Sequence, residues 1–186
     1  MTGGCAKRMI EAVREPKREV EEMAGPFENL PEISPADNTV AVLAVSPHTE
    51  DHTCLRAIFS HSNWRIDSAG NCREAIRYLQ TNRMAVIVCE SRLPDGNWKD
   101  LLGALMLLPF PPLLVVTSRD ADDNLWAEVL NLGAYDVLSK PFDRTEVTRI
   151  ISLAWLHWKD QLVQLRQKPV VGATAAPNQS GAAATA

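Results

Sequence analysis

The sequence lacks long apolar segments. No stretch of its 186 residues approaches the roughly 18 apolar residues that a membrane span requires. The most apolar region, residues 101–116, is interrupted by Pro109, Pro111 and Pro112, which predicts a helix, a turn and a strand. The first eight residues, MTGGCAKR, contain no apolar run, so we expect no secretory signal there. We therefore expect a cytoplasmic protein that makes no membrane contact.

Cysteine, positive charge and nucleotide-binding motifs are also scarce or absent. The four cysteines form no C-x-x-C pair, and no His/Cys cluster has the spacing of a zinc site, which favours reduced, structural cysteines. The formal net charge of −4 argues against a nucleic-acid partner, since such proteins usually carry a basic field. There is no G-x-G-x-x-G, P-loop or G-x-S-x-G motif, so we expect neither a nucleotide-binding protein nor an enzyme.

Composition divides the chain into three parts. Residues 1–38 hold five positive and eight negative side chains, a net charge of −3. A short helix over residues 6–23, broken or kinked at Pro16, could form here, with residues 24–38 as a linker. One expectation is a solvated, partly disordered arm, and the other is a helix that binds a partner or caps the domain. Residues 168–186 carry no charge after Lys168 and are expected to form a disordered tail. Residues 39–167 remain for one domain, and the 46% hydrophobic content of the chain is sufficient for a core.

Strand and helix patterns alternate along this domain. Continuous apolar runs are typical of strands buried on both faces, and apolar residues at three- and four-residue spacing are typical of amphipathic helices. Strands are predicted over Thr39–Val45, Trp64–Ser68, Met84–Cys89, Leu113–Thr117 and Tyr135–Leu138. Helices are predicted over Glu50–Ser60, Asn71–Thr81, Asn97–Leu108, Asp122–Leu132 and Asp143–Arg166. This order predicts an α/β fold, a doubly wound parallel sheet with helices on both faces.

The residues that follow the strands are the ones expected to carry function. In such folds ligands bind at the carboxyl ends of the strands, near the topological switch point. The runs at these ends are Val45-Ser46-Pro47, Cys89-Glu90-Ser91-Arg92-Leu93-Pro94-Asp95-Gly96, Val116-Thr117-Ser118 and Gly133-Ala134-Tyr135-Asp136-Val137-Leu138-Ser139-Lys140-Pro141.

Taken in order, the last three runs resemble the receiver domain of two-component response regulators. The resemblance spans residues 39–158 or so and implies a flavodoxin-like sheet of five strands, in the order 2-1-3-4-5, with five helices. In receivers a histidine kinase transfers a phosphoryl group to an aspartate after the third strand. An acidic pair after the first strand helps to hold Mg²⁺, which neutralises charge on the transferring group. A hydroxyl after the fourth strand and a lysine after the fifth contact the phosphoryl oxygens.

Several positions of this chain match that pattern. Glu90 stands at the phosphoacceptor position, and Thr117 matches the switch hydroxyl. Lys140 matches the phosphate-pairing lysine, and Pro141 matches the proline after it, which is often cis in the family. Arg92 would supply the metal-facing carbonyl.

Other positions depart from the pattern. Ser46 and Pro47 replace the acidic pair, and Val137 replaces the switch aromatic, with Tyr135 two residues too early to take its place. Asp51 falls in the first turn of a helix, which by this reasoning is too far along the chain to contribute. We therefore expect no cofactor, with weak Mg²⁺ binding through Glu90 and the Arg92 carbonyl at most.

The departures suggest a receiver whose switch is fixed. The leading hypothesis is a stand-alone response-regulator receiver-like protein of phosphorelay signal transduction, in which Glu90 pairs permanently with Lys140 and imitates the phosphorylated state. The alternative is a site that has lost its function, in which Glu90 is only a partly solvated acid. A phosphorylatable receiver with residual acyl-phosphate turnover and a purely structural adaptor are further alternatives.

The last predicted helix carries the candidate interface. Apolar residues recur along it at three- and four-residue spacing to about residue 167, further than receivers usually extend. Trp155, Trp158 and Leu162 are predicted to continue an apolar stripe beyond the body of the domain. We expect this stripe to bind a second copy of the chain or a protein partner, such as a histidine kinase or a downstream signalling protein.

Overall fold

The computed structural model describes residues 39–60 and 62–167. The predictions for the arm, residues 1–38, and for the tail, residues 168–186, lie outside the described residues. Among the described helices, none combines the length and the apolarity that crossing a membrane would need.

Five parallel strands form the central sheet, with a separate two-stranded hairpin beside it. The strands are β1 Val40–Val45, β2 Trp64–Ala69, β3 Val86–Glu90, β4 Arg92–Leu93, β5 Gly96–Asn97, β6 Leu113–Ser118 and β7 Asp136–Ser139. The large sheet has the order β2-β1-β3-β6-β7. Counted among its own five strands this is 2-1-3-4-5, so the predicted topology is confirmed.

Five helices cover the two faces of the sheet. They are α1 Thr49–Phe59, α2 Cys72–Leu79, α3 Trp98–Leu105, α4 Asp123–Asn131 and α5 Arg144–Gln167. One core lies between the sheet and α2, α3 and α4, and the other lies between the sheet and α1 and α5. Because successive strand residues point to opposite faces, Ile87 and Cys89 of β3 enter the first core while Val86 and Val88 enter the second. This is why the central strands read as unbroken apolar runs.

The loops at the carboxyl edge of the sheet are held by side-chain hydrogen bonds. In the loop between β4 and β5, the Asp95 carboxylate accepts the backbone N–H groups of Cys72 and Arg73, at 2.9 and 3.0 Å, and so caps α2. These bonds stabilise the ionised form and lower the pKa of Asp95. The hairpin was not predicted, because its strands have two residues each and show no periodicity. It fixes the path of the chain directly after Glu90.

Two of the predicted interface residues on α5 are instead part of the core. Trp158 and Leu162 are buried between α5 and the sheet, and the Trp158 indole N–H donates to the Pro111 carbonyl at 3.1 Å. The prediction that they form an exposed stripe is therefore wrong, because the loop before β6 reaches far enough to cover this half of α5. Trp155 is partly buried against the same core, with the Lys159 ammonium 4.6 Å from its ring centroid.

The substitution Trp158→Phe tests how this half of α5 is held. It keeps most of the buried ring but leaves the Pro111 carbonyl without its indole donor. We expect the free energy of unfolding to fall by about 1–3 kcal/mol, the range for an unsatisfied buried polar group. Urea unfolding measures this loss, and an exposed site on the same helix, Thr148→Ala, provides a control that should change stability less. Equal effects of the two substitutions would show that the indole hydrogen bond contributes nothing.

Candidate functional site

Glu90 ends β3 and lies at the centre of the carboxyl edge of the sheet. Its side chain is 11% exposed, and its Oε2 contacts the Lys140 ammonium. Its other carboxylate oxygen, Oε1, accepts hydrogen bonds from the backbone N–H and the hydroxyl of Ser91, each at 3.1 Å. Thr117 is the register partner of Glu90 on β6 and is buried. Both carboxylate oxygens of Glu90 are therefore engaged by neighbouring donors.

Lys140 directly follows β7, which is separated from β3 by β6 in the sheet, and its side chain reaches the same site. Its backbone N–H donates to the Ser118 carbonyl at 2.9 Å, which continues the pairing of β6 with β7 past the end of the strand. Its side chain is only 7% exposed, and its ammonium donates to Asp51 Oδ2 at 2.5 Å as well as to Glu90. The peptide bond between Lys140 and Pro141 is cis.

Asp51 belongs to the site, contrary to the sequence-based expectation. Only three residues, 46–48, connect β1 to α1, so the first turn of α1 lies over the carboxyl ends of the strands. The Asp51 side chain is 12% exposed and accepts a hydrogen bond from the Ser46 hydroxyl at 2.5 Å, besides the one from Lys140. The backbone N–H of His48 donates to that same hydroxyl at 3.1 Å. An aspartate one turn into the helix thus reaches the lysine from the β1 side.

The site holds two carboxylates around one ammonium. Burial acts to raise the pKa of Asp51, but the hydrogen bonds from Lys140 and Ser46 and the charge of the lysine outweigh it, so that the pKa of this carboxyl is lowered. Buried charges are tolerated only when they are paired and hydrogen-bonded. Here Asp51, Glu90 and Lys140 satisfy one another, and the cluster carries one net negative charge when all three are ionised.

The donor set does not fit the Mg²⁺ site that receivers use. Ser46 is buried and its hydroxyl is committed to Asp51, while Pro47 offers no side-chain oxygen. Asp51 and Glu90, the carboxylates of the charged cluster, are both in contact with the Lys140 ammonium, which competes with any metal cation for them. Among residues 39–60 and 62–167, no three His, Cys, Asp or Glu side chains are grouped so that they could hold a metal ion.

The position of the switch aromatic is filled by an aliphatic core residue. Val137 is buried in the core shared with α2, α3 and α4. Tyr135 packs on the opposite face of the sheet, where its ring meets His157 edge to face with the centroids 5.8 Å apart. Tyr135 therefore faces away from the position that the aromatic would occupy.

Two openings border the charged cluster. A cleft of about 560 Å³ lies between the loop after β3 and the loop after β6, and its lining includes His48, Glu90, Arg92, Lys99 and Arg119. A second opening, of about 400 Å³, lies on the other side of Lys140, and its lining includes Glu50, Cys54 and Phe142. Glu90 lines the first and Asp51 the second, so the cluster separates them.

Sequence reasoning identified some of these residues and missed others. The structure brings Glu90 and Lys140 into contact and places Thr117 beside them, as the strand-end rule expected. Sequence reasoning did not identify Asp51 and Ser91 as residues of the site. The available signal for Asp51 was the short connection between β1 and α1, which places the first helical turn over the sheet edge.

Comparison with known proteins connects this geometry to a family. The family model of the response regulator receiver domain matches residues 42–152 of this chain. The chain is 32% identical over 94 residues to the transcriptional regulatory protein PmrA of Pectobacterium parmentieri, covering 50% of this chain and 42% of that protein. It is 31% identical over 109 residues to the probable transcriptional regulatory protein TcrX of Mycobacterium tuberculosis, covering 58% of this chain and 46% of that protein. The chain thus spans less than half the length of these relatives.

A solved structure shares the fold. The signal receiver domain of an HD domain-containing protein from Pseudomonas fluorescens Pf-5 superposes with a TM-score of 0.63 at 20% identity. The match covers 73% of this chain and 98% of that one. It agrees with the strand order and the two helical layers described above.

Proposed function

Since the chain belongs to the response regulator receiver family of two-component signalling, we propose that it is a receiver whose state is set by Glu90, Asp51 and Lys140 and not by phosphorylation. In this proposal the protein is not an enzyme, needs no Mg²⁺ and acts in the cytoplasm by binding protein partners.

The observation that carries the proposal is the double contact of the Lys140 ammonium. A lysine ammonium that already contacts two carboxylates can pair with an incoming phosphoryl group only by giving up one of those contacts. Here Lys140 is 7% exposed and contacts Glu90 on one side and Asp51 on the other. A phosphoryl group would have to displace at least one buried carboxylate, which disfavours the exchange.

Glu90 adds a second obstacle to phosphotransfer. Its Oε2 lies against Lys140 and its Oε1 accepts two hydrogen bonds from Ser91, so both oxygens that could act as the nucleophile are already engaged by donors. Ser46 and Pro47 stand where the acidic pair would help to hold the metal that neutralises the transferring group, so the proposal includes no such metal. The negative charge that phosphorylation would bring next to Lys140 is already supplied by a side chain.

Partner binding follows from the same arrangement. In a switchable receiver, charge at this edge changes the surface of α4, β7 and α5. Lys140 directly follows β7 and precedes α5, so fixing its position holds the start of α5 in one arrangement. We infer that partners such as a histidine kinase or a downstream signalling protein meet this fixed surface whatever the phosphodonor concentration.

Intact-mass measurement after incubation with a small phosphodonor and Mg²⁺ tests the proposal. We expect the unmodified mass for the native chain, because the nucleophile and the lysine are both engaged. A family member with an intact aspartate and acidic pair, treated in parallel, should gain a phosphoryl group.

The Glu90→Ala variant locates any adduct that does form. A phosphoryl adduct on the native chain that is absent from Glu90→Ala would overturn the proposal and favour a phosphorylatable receiver. An adduct that persists in Glu90→Ala lies on another residue, and Glu90 itself would then still be unmodified, as expected.

A further inference from the structure

The helix α5 has a second apolar face that points away from the core. Ile150, Ile151 and Ala154 are buried against the sheet. On the opposite side Leu153, Leu156 and Val163 are 47, 50 and 49% exposed. These three residues recur at spacings of three and seven, which is the pattern of a helix that packs against another helix. We refer to this face as the outer stripe.

Two exposed residues of opposite charge flank the leucines of the outer stripe. Arg149 lies four residues before Leu153, and Asp160 lies four residues after Leu156. Both lie on the exposed side of α5, and neither forms a salt bridge with residues in the part of the chain that the structure describes. The order along the stripe is therefore positive, apolar, apolar, negative, spaced one helical turn apart.

This order is complementary to itself when it is reversed. In two antiparallel copies of α5 centred between Leu153 and Leu156, Leu153 of one copy faces Leu156 of the other. Arg149 of each copy then faces Asp160 of the other, because both lie at the same distance from the centre. We propose that the chain forms a homodimer through the outer stripe, with four leucines at its centre and two reciprocal Arg149–Asp160 pairs at its ends.

The charges favour this arrangement over a parallel one. In a parallel pair each residue would face its own copy, placing Arg149 against Arg149 and Asp160 against Asp160. Like charges placed opposite each other oppose association, while complementary pairs set orientation and register. A twofold axis perpendicular to the helix therefore pairs the two leucines with each other and the two charged residues with each other.

Sedimentation equilibrium of the full chain measures the association. We expect the native chain to reach the mass of two copies. Arg149→Glu should weaken the dimer at least about tenfold, because the twofold axis places the reversed charge against Asp160 at both ends. Asp160→Arg should have the same effect, and the double variant Arg149→Glu/Asp160→Arg should recover the native dissociation constant.

The proposal would be overturned by a native chain that stays monomeric at every soluble concentration, by a dimer unaffected by Arg149→Glu, or by a double variant no stronger than the single ones. Trp126→Ser, on the exposed face of α4, is the matched control and should leave the dimer unchanged. Loss of the dimer in that variant would show that the copies meet through α4 instead. Circular dichroism of each variant establishes that it is folded.

Discussion

Replacing Lys140 by methionine is expected to lower the free energy of unfolding by about 3–5 kcal/mol at neutral pH, the range for a buried ion pair that loses one partner. Methionine keeps much of the volume of the lysine stem but removes the ammonium. Asp51 and Glu90, whose side chains are 12 and 11% exposed, would then face each other without a counter-charge. Urea unfolding monitored by tryptophan fluorescence measures the change.

The pH dependence of this loss in the free energy of unfolding gives a second measurement. In the native chain the pKa of Asp51 is lowered, so its stabilising contribution is complete above the unfolded pKa and disappears as the pH falls through the folded one. In Lys140→Met burial is no longer offset, so the pKa of this carboxyl should rise and the variant should gain stability on acidification. The difference between native and variant should therefore shrink as the pH falls from 7 toward about 4.

Two further variants separate charge from packing. Lys140→Met/Glu90→Gln removes one of the two carboxylates and should recover part of the lost stability. Lys99→Met breaks a salt bridge to Glu128 whose partners are 47 and 44% exposed, and should change stability by less than about 1 kcal/mol. If Lys140→Met were as mild as Lys99→Met, or if its effect did not vary with pH, the buried charge cluster would not be a determinant of stability.

The fold was predictable from the sequence because its strands and helices have different periods. The unbroken apolar runs before Glu90 and before Thr117 are central strands covered on both sides, and no observed bound of β3 or β6 differs from the predicted one by more than two residues. Gly133, with φ of 93°, directly follows α4 and its C-cap, as its place in the sequence indicated. Local signals of this kind do not depend on distant parts of the chain.

The candidate functional site and the exposed surface of α5 were only partly predictable from the sequence, because both depend on distances between secondary-structure elements. No sequence pattern states that the first turn of α1 reaches Lys140, which is 89 residues away along the chain. Trp158 reads as part of a stripe beyond the domain until the loop at Pro111 is placed against it. The same placement identifies Leu153 and Leu156 as the exposed apolar residues of α5, although they did not stand out among the many hydrophobic residues of that helix.

Restoring the acidic residues of a receiver is expected to create a Mg²⁺ site and phosphotransfer. The triple variant Ser46→Asp/Pro47→Asp/Glu90→Asp adds two carboxylates after β1 and shortens the side chain at position 90, which draws its carboxylate away from Lys140. Oxygen ligands of this kind are those that Mg²⁺ prefers. Calorimetric titration should show Mg²⁺ binding at least about tenfold tighter than to the native chain, a gain of about 1.4 kcal/mol. With Mg²⁺ and a small phosphodonor, the variant should gain the phosphoryl adduct that we expect to be absent from the native chain.

Asp51 decides how far this restoration goes, because it would still hold the Lys140 ammonium in the triple variant. Adding Asp51→Ala should release the lysine toward the phosphoryl group, so the quadruple variant should form the adduct faster than the triple one. The matched control, Ser46→Asn/Pro47→Asn/Glu90→Asn, has side chains of similar shape but no charge, and should neither bind Mg²⁺ nor be phosphorylated. If the native chain bound Mg²⁺ as tightly as the triple variant, replacement of the acidic pair by Ser46 and Pro47 would not weaken Mg²⁺ binding as we propose. If the triple and quadruple variants formed the adduct at equal rates, the contact between Asp51 and Lys140 would not restrain the lysine, and Glu90 alone would account for the fixed state.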